Sequence, residues 1–301
     1  MHKMHKMDKL IKKELLFGAK NYNPLDVVIK KGKGIYLTDV NNKKYIDFLS
    51  GYGAVNQGHC HPTLLKAINS QSKKLTLTSR AFYNNRLGDL SELLSNTFNY
   101  EKFIPMNTGV EAGETALKIS RKWGYEKKNI PKNKCIHLFA TNNFWGRTIC
   151  AASSSNDRKC YENFGPYTPG MELVEYNNSA ALEKKLKSNK NIASFMVEPI
   201  QGEAGVIIPN ENYMNEVSNI CKKHNVLLIA DEVQSGLGRT GKLLACDYNS
   251  VKPDLLILGK SLSGGVYPIS GVLANTRIMD VLTPGTHGST YGGNPLAAYI
   301  S

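Results

Sequence analysis

Residues 226–260 read VLLIADEVQSGLGRTGKLLACDYNSVKPDLLILGK. Two apolar runs, at 226–230 and 255–258, have the length and composition of strands that are buried on both faces. Asp231 directly follows the first run, and Lys260 comes two residues after the second run. In an open α/β sheet, ligands bind beyond the carboxyl ends of the parallel strands. We therefore expect these two side chains to face one crevice.

The surrounding sequence continues this alternation of apolar runs and helical stretches from about residue 85 to residue 275. The predicted strands are 103–106, 135–140, 193–198, 226–231, 255–259 and 269–274, and the predicted helices are 86–98, 111–125 and 213–224. This pattern predicts an α/β fold with a mostly parallel central sheet flanked by helices. Before it, turn residues and short strands at 35–38 and 45–48 predict a small, irregular lobe. We therefore predict an N-terminal segment and small lobe at 1–84 and a large α/β domain at 85–301.

Composition excludes several classes of protein. With 301 residues, 41% of them hydrophobic and 21% charged, the chain is neither disordered nor fibrous. No apolar run approaches the ~20 residues of a membrane span. The net charge of +13 comes from scattered lysine pairs without interleaved aromatic residues, which is typical of solvated faces rather than of a nucleic-acid surface.

The cysteines and the N-terminus bear on the cellular compartment. The six cysteines have no CxxC spacing, which favours reduced thiols and a cytoplasmic location. Cys150 and Cys160 flank a polar loop and are candidates for a reversible disulfide, although free thiols are the commoner state of such pairs. Residues 1–7 show neither an apolar signal segment nor an amphipathic presequence, so no targeting signal is expected.

Three short motifs suggest other functions but fit them poorly. The stretch GLGRTG at 236–241 matches a dinucleotide fingerprint, yet four residues separate its first glycine from the preceding strand. Gly241-Lys242 imitates a phosphate loop, but Leu243 cannot bind Mg²⁺ where that motif requires Ser or Thr. His59-Cys60-His61 resembles a metal cluster, but neighbouring residues of an extended segment point to opposite faces, so a structural turn is favoured. A P-loop ATPase and a basic nucleic-acid binder remain as alternatives from other classes.

Lys260 and Asp231 indicate a particular chemistry. Burial lowers the pKa of a lysine, and an amine of lowered pKa is suited to forming a Schiff base. Pyridoxal phosphate requires such a lysine, a carboxylate beside its ring nitrogen and a site for its phosphate. Residues 107–112 (NTGVEA) offer a strand that breaks into a helix, whose N-terminus favours an anion. Each element also has a structural explanation, as a helix cap or a loop lysine, and their joint occurrence at strand ends favours the cofactor site.

On these and further motifs the sequence resembles the class III, fold type I pyridoxal-phosphate aminotransferases over nearly its whole length. The motifs are NYNPL at 21–25, VNQGHCHP at 55–62, NTGVEAGETA at 107–116, NFWGRT at 143–148, VEPIQGEAG at 197–205, DEVQ at 231–234, LGK at 258–260 and HGSTYGGNP at 287–295. The resemblance implies a large domain with a mostly parallel sheet and a homodimer with the cofactor at its interface. It also implies a C-terminal small domain of roughly 100 residues that this sequence lacks.

The same resemblance implies roles for individual residues. Lys260 would be the Schiff-base lysine and proton shuttle, Asp231 the partner of the pyridinium nitrogen, and Gln234 a donor to the ring hydroxyl. The other implied cofactor-binding residues are Thr108, Gly109, Val110, Phe144 and Val233, with Ser289 and Thr290 reaching the cofactor of the other subunit. The implied substrate-binding residues are Tyr22, Tyr52, Arg147, Glu198 and Glu203, and no metal is expected.

The resemblance also implies a reaction. An ω-amino group would pass to 2-oxoglutarate, with ornithine as the first candidate donor. Acetylornithine and 4-aminobutyrate remain alternative donors.

Overall fold

The computed structural model describes residues 6–301, so the expectation about targeting concerns residues that lie largely outside the described part. The strands are β1 (Ile29–Lys33), β2 (Tyr36–Asp39), β3 (Lys44–Ile46), β4 (Lys102–Met106), β5 (Ile136–Ala140), β6 (Met171–Val174), β7 (Ile192–Val197), β8 (Leu227–Asp231), β9 (Leu255–Leu258) and β10 (Ser270–Ala274). The helices are α1 (Lys6–Phe17), α2 (Ser50–Gly53), α3 (Pro62–Gln71), α4 (Leu87–Phe98), α5 (Gly109–Glu126), α6 (Ile149–Ser153), α7 (Arg158–Tyr161), α8 (Ser179–Ser188), α9 (Tyr213–Lys223), α10 (Thr276–Met279) and α11 (Pro295–Ile300), with 3-10 turns at Ala245–Tyr248 and Lys260–Ser263.

Seven strands form the central sheet in the order β4-β10-β9-β8-β7-β5-β6. The strands from β9 to β6 pair in parallel, whereas β10 runs antiparallel to both β9 and β4. Every residue of β7, β8, β9 and β10 is buried, as expected for strands covered on both faces. The expectation of a mostly parallel α/β sheet is confirmed.

Helices cover the two faces of this sheet. Leu228 and Leu256 point to one face, where they pack with residues of α4 and α9. Ile229 and Ile257 point to the other face, where α5 supplies most of the helical residues. Side chains alternate between the two faces along each strand, so the apolar runs seen in the sequence fill two cores at once.

The N-terminal part contains more regular structure than the sequence indicated. Strands β1, β2 and β3 form a small antiparallel sheet, and the hairpin between β2 and β3 has Asn42 at φ 69°. The expectation of an irregular region before residue 85 is wrong for α1 and α3, because the short apolar segments there did not show a clear helical period. The domain division at residue 84 stays a prediction.

The topology places several chain segments at one edge of the central sheet. Because β4, β8 and β9 run in the same direction, their carboxyl ends meet there, together with the amino end of β10. The Ser270 hydroxyl, at the start of β10, donates to the Thr108 carbonyl at 2.6 Å and ties the helix start to the sheet. Within residues 6–301, no helix combines the length and apolar character that a bilayer crossing requires.

Candidate active site

The ends of β8 and β9 bring Asp231 and Lys260 to one cavity. Asp231 is aligned with Ile257 in the parallel pairing, three residues before Lys260. The cavity has a volume of about 190 Å³. It is lined by Gly109, Val110, Phe144, Trp145, Gly146, Glu198, Glu203, Asp231, Val233, Gln234 and Lys260. The structure thus unites most of the cofactor-binding residues that the sequence predicted.

Lys260 is held in an unusual conformation and environment. Its φ angle is 44°, in the left-handed region that is unfavourable for a residue with a Cβ atom. Its ammonium group forms no ion pair within 4.0 Å to any residue of the described chain. Burial lowers the pKa of Lys260, while the carboxylates of Glu203 and Asp231 oppose this shift. A half-buried amine of lowered pKa is a candidate nucleophile.

Asp231 supplies a buried carboxylate. Only 6% of the residue is exposed, and Oδ1 accepts the backbone N–H of Val233 at 3.0 Å. Burial raises the pKa of Asp231 to about 6, and the charge of Lys260 opposes this shift. Within residues 6–301, Oδ2 accepts no hydrogen bond, and Asp231 lines the cavity. This oxygen therefore fits a ligand that brings a positively charged N–H group.

The N-terminus of α5 forms the third part of the site. Thr108 and Glu111 make a capping box, in which Thr108 Oγ1 accepts the N–H of Glu111 and Glu111 Oε2 accepts the N–H of Thr108 at 2.7 Å. In the described chain, the backbone N–H groups of Gly109 and Val110 donate to no protein acceptor. Free N–H groups and the helix dipole favour an anion at this position.

The lysine, the carboxylate and the free helix N–H groups satisfy the requirements of pyridoxal 5′-phosphate. Its ring nitrogen requires a carboxylate, its aldehyde an amine and its phosphate an anion site. A Cβ atom at Gly109 would lie 3.0 Å from Val233 Cγ1, so the backbone of the helix start comes close to the strand end. The residues present therefore fit this cofactor.

Glu198 holds two walls of the cavity together. Its Oε1 accepts the N–H of Phe144 at 2.9 Å, and its Oε2 accepts the N–H of Gly202 at 3.4 Å. Burial, and next the charge of Asp231, raise the pKa of Glu198 to about 8. These contacts join the Phe144 loop to the loop that carries Glu203, and the role of Glu198 in substrate binding stays a prediction.

Two lining residues were missed as site residues by the sequence interpretation. Trp145 stacks on Phe139 with ring centroids 5.8 Å apart and donates its Nε1–H to Ser154 at 2.8 Å. Gly146 has a φ of 149°, and a Cβ atom there would lie 2.3 Å from Val110 Cγ2. The motif NFWGRT contains both residues, so position beside Phe144 was the available signal.

Other predicted site residues lie outside this cavity. Tyr22 is 72% exposed, and Tyr52 reaches the site through its carbonyl, which accepts the side-chain N–H of Gln234 at 3.2 Å. The guanidinium carbon of Arg147 lies 5.4 Å from the centre of the Phe144 ring, at the side of the cavity. Ser289 and Thr290 line a separate cavity of about 430 Å³ with Ser79, Arg80 and Gly288.

The structure adds no support for the dinucleotide, phosphate-loop, metal-cluster and disulfide interpretations of the short motifs. No α-helix follows Gly241, and the chain there forms turns and a single 3-10 turn before β9. Among residues 6–301, no group of three or more metal-binding side chains was found. Cys150 and Cys160 are free thiols, and burial raises the pKa of both, that of Cys150 to about 11. Since the thiolate is the reactive form, the reversible disulfide stays a prediction without added support.

Comparison with known proteins identifies the family. Residues 17–301 match the class-III aminotransferase family model, and the chain belongs to this family. It is a pyridoxal-phosphate-dependent transaminase of fold type I. Similar curated proteins include ornithine aminotransferases: the mitochondrial enzyme of Drosophila melanogaster is 57% identical over 289 residues, which are 96% of this chain and 67% of the fly protein.

Solved structures agree with this assignment. The crystal structure of ornithine aminotransferase from Toxoplasma gondii ME49 has a TM-score of 0.97 and 50% identity, covering 99% of this chain and 70% of that one. Acetylornithine aminotransferase from Elizabethkingia anophelis has a TM-score of 0.88 and 50% identity, covering 99% and 71%. The chain thus spans about two thirds of the length of the proteins it matches.

Proposed function

We propose that this chain belongs to an ornithine δ-aminotransferase, which transfers the δ-amino group of L-ornithine to 2-oxoglutarate to give glutamate 5-semialdehyde and glutamate. The observation that carries the proposal is the single cavity joining Lys260, Asp231 and the free N–H groups of α5. The names of the similar proteins support the choice of ornithine. When bound, pyridoxal phosphate supplies an electron-withdrawing ring that stabilises negative charge on the substrate carbon.

The protein's own groups have distinct tasks in this proposal. Lys260 Nζ would carry the cofactor and move the proton at the reacting carbon, for which a lowered pKa is suited. Asp231 Oδ2 would hold the ring N–H, the N–H groups of Gly109 and Val110 would bind the phosphate, and Thr108 would support them as the cap. Phe144 and Val233 would enclose the ring, and Gln234 would donate to its hydroxyl in place of its present bond to Glu203.

A direct experiment tests the proposed cofactor site. The complete protein that contains residues 1–301 should show a visible absorption band that borohydride abolishes, with the cofactor mass left on the peptide that carries Lys260. The Lys260→Ala variant should lose turnover while still binding the cofactor without a covalent bond. Normal turnover in this variant would exclude the proposed mechanism.

The choice of donor rests on an orientation argument. We propose that Arg147 binds the α-carboxylate, for which a guanidinium is well shaped, and that Tyr22 binds the α-amine, so that only the δ-amine reaches Lys260. The resemblance implies a second substrate arginine in the C-terminal small domain, and Glu203 would mask it when a diamine substrate is bound. Acetylornithine and 4-aminobutyrate are the alternative donors. The similarity to an acetylornithine aminotransferase favours testing acetylornithine.

The donor can be decided by one ratio. Tyr22→Phe should lower kcat/KM for ornithine relative to that for 4-aminobutyrate, which has no α-amine, because a substrate amine left without its partner is costly. An unchanged ratio would remove Tyr22 from the substrate site. Ornithine would then be no better supported than the other donors.

We also propose that the enzyme is a homodimer in which Ser289 and Thr290 act on the cavity of the partner. Mixing Lys260→Ala subunits with Ser289→Ala/Thr290→Ala subunits should restore one active site per mixed dimer, because intact groups then meet in one cavity. If the two residues act within their own subunit, mixing restores no activity.

The proposed compartment is the cytoplasm, based on six free cysteines. The fly relative is named mitochondrial, so fractionation of cells that express the complete protein is the test.

A further inference from the structure

His59, in the motif that resembled a metal cluster, has a partner that the proposed function does not use. Its Nε2 lies 2.7 Å from Asp47 Oδ2, and the two side chains are 25% and 9% exposed. The backbone of His59 exchanges two hydrogen bonds with Gly34, at 2.8 and 2.9 Å. A Cβ atom at Gly32 would lie 2.7 Å from His59 Cγ, so the ring packs directly on that glycine. The His59 ring is therefore held by Asp47 and Gly32, and its backbone by Gly34.

Asp47 connects His59 to a strained turn. Its Oδ1 accepts the N–H groups of Leu49 and Ser50 at 3.0 and 2.9 Å. These two groups lead into Ser50–Gly53 (α2), a single left-handed turn in which all four residues have positive φ angles between 52° and 82°. Left-handed backbone is unfavourable for residues with a Cβ atom, as Ser50 and Tyr52 have. Such a turn persists only when surrounding contacts hold it.

The turn Ser50–Gly53 contacts Gln234, which lines the cavity. Gln234 Nε2 donates to the Tyr52 carbonyl at 3.2 Å and to Glu203 Oε1 at 3.0 Å. A Cβ atom at Gly202 would lie 1.3 Å from Gln234 Oε1, so the amide oxygen occupies the space that a side chain at position 202 would need. The orientation of Gln234 is therefore set by Gly202, by Glu203 and by the turn.

We propose that His59 is a positioning residue, which through Asp47 holds the turn Ser50–Gly53 and thereby orients Gln234 and Glu203 in the active site. The contacts form one continuous series from His59 to the cavity, and each step is a hydrogen bond or a fixed backbone turn. The inference rests on the proposed function, because Gln234 is the residue assigned to the cofactor ring hydroxyl. It gives the HCH segment a role without a metal.

The test compares four variants of the complete holoenzyme. His59→Leu removes the contact to Asp47, whereas His59→Gln places an amide nitrogen near the position of Nε2 and should rescue the contact. His61→Leu is the matched control, since within the described chain its Nδ1 has no hydrogen-bond partner and it caps no helix through its side chain. Gln234→Ala removes the side chain that His59 is proposed to orient, and it therefore shows the effect expected when that side chain is misplaced.

The primary measurement is the pH at which the visible band of the bound cofactor changes. We expect His59→Leu to shift this pH in the same direction as Gln234→Ala, with His59→Gln and His61→Leu remaining close to wild type. In steady-state assays, His59→Leu should lose roughly tenfold or more in kcat/KM for ornithine, as expected when a group near the chemistry is misplaced. The spectral titration needs only bound cofactor, so it remains decisive if ornithine is not the substrate.

A purely structural role would give a different result. If His59→Leu lowers the melting temperature but keeps the spectral transition and kinetic constants of His61→Leu, the proposal is wrong. If His59→Leu does not fold, Asp47→Ala replaces it, because alanine removes both the contact to His59 and the acceptor of the Leu49 and Ser50 N–H groups. A spectral transition in Asp47→Ala that equals wild type would also overturn the proposal.

Discussion

The buried carboxyl group of Glu198 should make the cofactor-free protein less stable as the pH rises from 6 to 7.5. In the fold, burial and Asp231 raise the pKa of Glu198 to about 8, from an ordinary value of 4.5. Between these two values the folded chain holds a proton that the unfolded chain has released. The contribution of this proton to stability is complete below pH 4.5 and is lost as the pH rises through about 8.

The magnitude follows from one proton. Each pH unit between the two pKa values changes the free energy of unfolding by about 1.4 kcal/mol, so 1.5 units change it by about 2 kcal/mol. The pKa of Asp231 is raised to about 6, so its own loss of stability is largely complete where this interval begins. Glu198→Gln removes the titrating group but keeps its shape. The difference in the free energy of unfolding between the variant and wild type should therefore shift by about 2 kcal/mol in favour of the variant from pH 6 to pH 7.5.

Urea unfolding of both proteins at fixed protein concentration, across this pH range, measures the difference. The altered contact to Gly202 can lower the stability of the variant by the same amount at every pH. Such a loss moves the whole curve of unfolding free energy against pH and leaves its slope unaffected. Glu203→Gln, at an exposed glutamate of the same cavity, controls for the substitution itself. Parallel curves for Glu198→Gln and wild type would refute the reasoning that Glu198 is neutral in the folded protein at pH 7.

Three further predictions concern the cofactor site and the packing around it. Asp231→Asn should lower kcat far more than it raises KM for the amine donor, and a change in KM alone in steady-state assays would contradict its role. Gly113→Ala places a Cβ atom 2.6 Å from Trp145 Cε3 and should cost about 1–3 kcal/mol in urea unfolding, whereas Gly88→Ala, with no atom within 4 Å, should be neutral or stabilising. Thr108→Ala should lose about 1 kcal/mol of stability with its cap and release cofactor faster in a dilution assay; unchanged release would separate the cap from the phosphate site.

The central sheet was predictable because its strands are buried on both faces. β7, β8 and β9 appear in the sequence as continuous apolar runs, and their predicted ends lie within one residue of the observed ones. β6 was missed because it is an edge strand, with three of its four residues only partly buried. β1 reads IKKGK and has no apolar signal, since its pairing with β2 depends on backbone hydrogen bonds.

The site divides in the same way. Asp231 and Lys260 were predictable from the residues alone, because a charged side chain at the end of a buried strand has few structural explanations. The contacts of Glu198 and the turn at Ser50–Gly53 depend on residues far apart in the sequence and on left-handed backbone. No local pattern predicts such contacts. Only the resemblance to a family pointed to Phe144, Gln234, Ser289 and Thr290.

The features that suit the site for its chemistry are unfavourable for the folded chain by itself. Burial raises the pKa of Asp231 and lowers that of Lys260, so each charged form is destabilised where it stands, and Lys260 also adopts left-handed backbone. The fully buried strands behind the site offset this loss of stability, because their apolar side chains fill both cores. A ligand that offers an N–H group to Asp231, an aldehyde to Lys260 and an anion to α5 relieves the electrostatic costs together. Because it binds the folded state only, it also stabilises the fold, and the strand ends are where one ligand contacts both β8 and β9.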